Sequence, residues 1–182
     1  MDRKAKRIER ENLLKEKKSA LIIEAKENPD FLAGKKRILY VMLVILGFRV
    51  FHVILQFVYM SVNNIPFGNH IVTFIIMILS LLFFIFMIHG NGIKGATYLA
   101  LLGGFYSIFL ANRDQVWLVF NTFDPFFNFV NVIFHIAIFI QIAGMIHLIF
   151  DKLCNVYFKA MTKIQNELNA LAKSNNAGAV AK

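Results

Sequence analysis

Four apolar runs, each about one membrane thickness long, alternate with short polar turns along this chain. They predict helices over 38–62, 70–89, 93–111 and 125–150, each near the ~20 residues needed to cross ~30 Å of hydrocarbon. The punctuation between them is specific. Residues 63–69 are turn-formers without charge, and Gly90, Asn91, Gly92 and Gly95 make the next turn. Asn112, Arg113, Asp114 and Gln115 follow the third run. Asp124 and Pro125 read as the N-cap and first helical residue of the fourth. Between them, 116–123 is apolar but too short to span, and its Trp117 suits the membrane interface.

The flanks have a different pattern. Residues 1–27 contain strong helix formers and no Pro or Gly. Leu14, Leu21 and Ala25 share one face, with Ile22 and Ile23 beside them, so a helix lying on a membrane or a partner is expected. Asn28, Pro29 and Asp30 interrupt it, and Lys35, Lys36 and Arg37 form a cationic stop before the first run. Past the last run, 151–173 predicts a second amphipathic helix, and the small, polar 174–182 a disordered end. The chain thus divides into a basic segment, 1–37, a four-helix membrane domain, 38–150, and a tail, 151–182. The expected fold is all-α: a polytopic four-transmembrane-helix bundle with amphipathic cytoplasmic helices at both termini, short loops making consecutive spans antiparallel neighbours.

Composition sharpens this picture. Of 182 residues, 58% are hydrophobic and 17% charged, against about 25% charged in ordinary soluble domains. Residues 1–37 hold 12 of the 20 Lys and Arg, which crowd the start of the first apolar run. Such a basic segment favours anionic lipid headgroups by about 1 kcal/mol per cation; the net charge of +9 is therefore read as membrane anchoring, with no nucleic-acid partner. With both termini cytoplasmic, 18 of the 20 cations lie on the inner side, as the positive-inside rule requires. Neither a cleavable signal peptide nor a transit peptide fits the long, acid-containing head. The lone cysteine, Cys154, allows no intrachain disulfide. It lies where S-palmitoylation is chemically conceivable, and an unmodified thiol is expected.

Polarity inside the apolar runs is costly, so it marks candidate sites. Arg49 stands about 16 Å into the first run, where a central Arg costs about 3 kcal/mol on insertion scales. His52, Gln56 and Asn63 fall on the same helical face as Arg49. Asn128, Asn131 and His135 make a weaker stripe in the fourth run, with His135 level with His52. Gln141 is turned from that stripe by over 100° and is not expected in the seam. The intramembrane stripe is therefore Arg49, His52, Gln56, Asn63, Asn131 and His135, read first as interhelical hydrogen bonding. In the third run, Ala96, Ala100 and Gly104 form one column of small residues, and Gly103, Ser107 and Ala111 the adjacent one. Small residues four apart let helix backbones approach closely.

No zinc-protease, serine-hydrolase or phosphate-loop signature occurs, and the Gly90–Gly92–Gly95 spacing joins two spans rather than a strand and a helix. No catalytic residue, metal site or cofactor is expected. The functional expectation is a non-enzymatic membrane scaffold or accessory subunit that associates with other membrane proteins or with itself. One alternative is a small channel or carrier with an anion-favouring route along Arg49, His52 and Gln56. The other is a redox subunit holding haem between His52 and His135.

Overall fold

The computed structural model describes residues 3–113 and 124–180. Six α-helices make up nearly all of it: α1 (Arg3–Lys26), α2 (Pro29–Val62), α3 (Gly68–Ile85), α4 (Lys94–Arg113), α5 (Pro125–Phe150) and α6 (Lys152–Val180). A π-turn, Phe86–Gly90, extends α3. No strand occurs among the described residues. The interfacial stretch 116–123 with Trp117, and Asp114 and Gln115 before it, lie outside the described residues.

Among the described residues, three helices are long and apolar enough to cross a membrane: Pro29–Val62, Ile71–Gly90 and Pro125–Phe150. That suits an integral membrane protein. At 20 residues α4 has the length of a span, but Lys94, Gly95, Thr97, Gly103, Gly104 and Ser107 dilute its apolarity.

The break at Asn28 and Pro29 is a helix start. The Asn28 side chain accepts a hydrogen bond from the Asp30 amide at 2.9 Å, and Pro29 occupies the first turn, where its missing N–H costs nothing. From there α2 runs unbroken through Gly34 and the cationic cluster to Val62. The boundary expected at 37/38 therefore falls inside one continuous helix. Its 34 residues reach about 51 Å, far more than ~30 Å of hydrocarbon. Its first two turns pack on α6.

Buried positions along α2 include Phe31, Gly34, Ile38, Met42, Ile45, Arg49, His52 and Val53. They recur every three or four residues, the spacing of one helical face. Helix α5 lies at the centre and is buried on two faces. One column carries Asn131, His135, Ile138, Ile142, Met145 and Ile149, the other Val130, Ala137, Gln141 and Leu148. One side meets α2 and the other α4. Gly144 lets α2 close in, since a Cβ there would lie 2.8 Å from Ile45 Cδ1. Helix α3 sits at the edge, with Ile71, Val72, Ile75, Ile76, Leu79, Leu82 and Phe83 exposed.

The two terminal helices pack on one another at one end of the bundle. Cys154, Tyr157, Phe158, Met161, Ile164 and Leu168 make the buried face of α6, and Leu14, Leu21, Ile22 and Ala25 of α1 pack against that cluster. The predicted apolar face of α1 is thus partly used within the chain, while Ile23 remains exposed. Helix α6 continues to Val180, past Ser174 where disorder was expected. Extending a formed helix costs far less than nucleating one.

Asp151 joins α5 to α6. It accepts from the Cys154 amide at 2.9 Å, capping α6, and pairs with Arg37 of α2 at 2.5 Å. Burial works to raise its pKa, but the hydrogen bonds from the Cys154 amide and Arg37 outweigh that and hold it below the usual carboxylate value. A depressed carboxylate stabilises the fold above its unfolded pKa, about 3.9, and loses that contribution as pH falls through the folded value. Asp151→Asn keeps a capping oxygen but removes the charge. It should lower stability at pH 6 by about 0.5–1 kcal/mol, a modest figure because Arg37 is half-exposed. The gap to wild type should narrow as pH falls below the unfolded value of about 3.9, in thermal melts of detergent-solubilised protein.

Cys154 is fully buried, and burial pushes its thiol up to about 12. Because the thiolate is the reactive species, an accessible, modified cysteine is not what this position offers. Maleimide should label Cys154 at under about a tenth of the rate seen after unfolding in SDS. Equal rates would show that α6 is not packed as described.

Candidate functional site

Arg49 is the centre of the buried polar cluster, 3% exposed. It falls on the inward face of α2 because its spacing matches Ile38, Met42 and Ile45. Its guanidinium donates to Gln141 Oε1 from Nε at 3.2 Å and from Nη2 at 2.7 Å. Gln141 in turn donates from Nε2 to the Ala100 carbonyl at 2.9 Å. One side chain therefore ties α2, α5 and α4 together, and three otherwise costly polar groups satisfy each other away from lipid.

This corrects the expectation that Gln141 lies outside the seam. An offset of over 100° removes a residue from a two-helix contact. It does not remove it from a helix wedged between two neighbours. Gln141 stands on α5 between Gly144, which faces Val41 and Ile45 of α2, and Ile142, which faces Gly104 of α4, and so reaches both Arg49 and the Ala100 carbonyl.

Of the remaining stripe, His52, Asn131 and His135 are buried, at 5%, 6% and 6% exposure. His135 Nδ1 donates to the Asn131 carbonyl one turn earlier, at 2.8 Å. The Phe134 ring lies 5.0 Å from the His52 ring and 5.4 Å from that of His135. His52, Gln56 and Asn131 line a cleft of about 130 Å³ with Phe127, Val130 and Phe134. Asn63 does not join them. It caps α2, donating from its side chain to the Tyr59 carbonyl at 2.9 Å, and is exposed. Nearby, Asp124 caps α5 by accepting from the Phe127 amide at 2.8 Å, as its position before Pro125 predicted, and accepts the Tyr59 hydroxyl at 2.9 Å.

The two columns of small residues on α4 part company. Ala96 and Ala100 are buried, and a Cβ on Gly104 would lie 2.8 Å from Ile142 Cγ1. That column packs on α5. Gly103, by contrast, is exposed and a Cβ there would meet nothing within 4 Å. Ser107 returns its hydroxyl to the Gly103 carbonyl at 2.9 Å. The side chain of Ala111 lies outside the described residues.

The turn between the π-turn and α4 is held by α6. Tyr157 donates to the His89 carbonyl at 2.5 Å and Lys94 to Asn155 Oδ1 at 2.6 Å. Gly92 has φ 63 and faces Met161 so closely that a Cβ would collide with that side chain. Its glycine is a turn requirement. Among the described residues no group of three or more His, Cys, Asp or Glu side chains could hold a metal ion. No family model, curated protein or solved structure matches the chain.

Proposed function

We propose that this chain is a non-enzymatic membrane scaffold or accessory subunit. It crosses the bilayer four times with both termini cytoplasmic, and associates with another membrane chain or a second copy through the outward face of α4. The observation that carries this reading is the division of α4's small residues. One column is consumed by α5, while Gly103 offers an open, close-approach surface on a helix of spanning length. At 20 residues, α4 extends about 30 Å. Counting it as a span accounts for α1 and α6 sharing one end of the bundle.

Orientation rests on charge. Lys15, Lys17, Lys26, Lys36 and Arg37 are exposed at the α1/α6 end, where anionic headgroups of a cytoplasmic leaflet would be attracted. The carrier alternative is weakened because the Arg49 guanidinium is turned onto Gln141 rather than held open along a route. The haem alternative is weakened by size: the cleft beside His52 is about 130 Å³, whereas sites for drug-sized ligands begin near 300 Å³.

Gly103→Leu is the direct test. Since no described residue occupies that space, the variant should melt within about 0.5 kcal/mol of wild type. It should also abolish dimerisation, or co-purification of the partner chain, in mild detergent. Gly104→Leu serves as the contrast and should destabilise the fold itself by about 1–3 kcal/mol through overpacking against Ile142. If Gly103→Leu leaves every association intact, the α4 face is lipid-facing and the proposal fails.

A further inference from the structure

We infer that two copies of this chain pair through their terminal helices, the acidic outer face of α1 in one lying antiparallel on the lysine face of α6 in the other. The inference rests on the scaffold reading and names a second copy as the associating chain. The contact it uses is separate from the outward face of α4.

Each terminal helix spends one face inside the chain and leaves the opposite face charged. On α1, Leu14, Leu21, Ile22 and Ala25 make the packed face. At 100° per residue, Glu9, Glu16 and, just past the helix end, Glu27 stand about 170° from its middle. All three are exposed. On α6 the buried face runs from Cys154 to Leu168. Lys152, Lys159 and Lys163 stand about 170° from it and are likewise exposed. Among the described residues none of these six groups makes a salt bridge. Like charges in one row repel along a helix, so each row is short of a counter-charge. The other row supplies it.

The spacings match. Glu16 and Glu27 are eleven residues apart, as are Lys152 and Lys163, about 16 Å of helix in each case. Laid antiparallel, Glu16 meets Lys163 and Glu27 meets Lys152, and the same register sets Ile23 against Val156. Lys159 falls opposite the small Ala20. Ile23 is 62% exposed in the single chain, so this register also covers an apolar side chain that the chain's own α6 leaves bare. A parallel alignment would instead set Ile23 against Lys159. An anionic leaflet would attract the lysine row but repel the acidic one, and Ile23 stands among the acids. Height agrees as well. Helices α1 and α6 pack together at one end of the bundle, so copies inserted the same way present both rows at one depth. A two-fold pair then makes the contact twice. Exposed ion pairs are individually weak, but several pairs between chains confined to one membrane act together.

The test mixes full-length Ile23→Cys chain with full-length Val156→Cys chain in mild detergent and oxidises them with copper–phenanthroline. Wild type, whose single Cys154 is buried, is the blank. A disulfide-linked pair is expected at about 0.05 M salt, with its yield falling about tenfold at about 1 M as the ion pairs are screened. Adding Lys152→Glu and Lys163→Glu to the Val156→Cys chain should lower the yield about tenfold. Adding Glu16→Lys and Glu27→Lys to the Ile23→Cys chain should then restore it, because the signs are exchanged and the register kept. All four positions are exposed, so every variant should melt like wild type. No linked pair, or a yield indifferent to salt and to charge reversal, would overturn the inference. If Gly103→Leu still dissolves an association in that case, the scaffold reading survives alone. A linked pair that persists in Gly103→Leu supports the terminal-helix contact even where the α4 face fails.

Discussion

Gln141→Leu should destabilise the protein by about 3 kcal/mol, more than replacing Arg49 itself. The asymmetry follows from which group is stranded. Leucine at 141 leaves a guanidinium at 3% exposure with neither of its hydrogen bonds to Oε1, and an unpaired buried cation is the costliest outcome available. Arg49→Met strands only a neutral amide that still donates to the Ala100 carbonyl, a loss of about 1–2 kcal/mol. It also removes the ~3 kcal/mol insertion cost of a central Arg. The double variant, Arg49→Met with Gln141→Leu, leaves nothing unsatisfied and should return close to wild type or exceed it, as all-apolar replacements of buried ionic groups often do. SDS-driven unfolding of the four proteins gives the coupling energy directly. If Gln141→Leu melts like wild type, or the double variant is worse than either single one, the three-helix clasp does not hold the bundle together.

Gly34→Ala should cost about 2–3 kcal/mol, a large effect for one methyl group. Here α2 and α6 touch backbone to backbone. A Cβ on Gly34 would collide with the Leu153 carbonyl oxygen and lie 2.7 Å from its carbon, and a backbone cannot rotate aside as a side chain can. The helices would have to separate, loosening Phe31 from Tyr157, whose rings are 5.0 Å apart, and weakening the Arg37–Asp151 pair. Gly47→Ala in the same helix is the control, because nothing lies within 4 Å of its added methyl. It should be neutral or stabilising by up to about 1 kcal/mol, since Ala is the better helix former. Thermal melts monitored by circular dichroism, with Cys154 labelling to report release of α6, would separate the two. Similar melts for Gly34→Ala and Gly47→Ala would mean that α6 does not dock on α2 at this distance.

Several features were legible in the residues because they depend on local chemistry or solvent alone. The all-helical class follows from long apolar runs, and the start of α5 from Asp124 before Pro125. The inward placement of Arg49, His52, Asn131 and His135 follows from their shared helical faces and the cost of polarity in hydrocarbon. The small-residue columns of α4 were visible as columns, but their separate fates were not: periodicity cannot say which neighbour stands on which side.

Sequence alone therefore determined which segments are helices, where most of them begin, and that Arg49, His52, Asn131 and His135 lie on inward faces. Tertiary structure decided three further matters. Gln141 enters the Arg49 cluster because α5 is wedged between α2 and α4, so two of its faces are interior. The first turns of α2 are a docking surface for α6 because Gly34 permits backbone contact. Gly103, unlike Gly104, is left uncovered. Each depends on helices distant in sequence meeting at a set angle and distance, and a one-dimensional repeat of 3.6 residues carries no information about either.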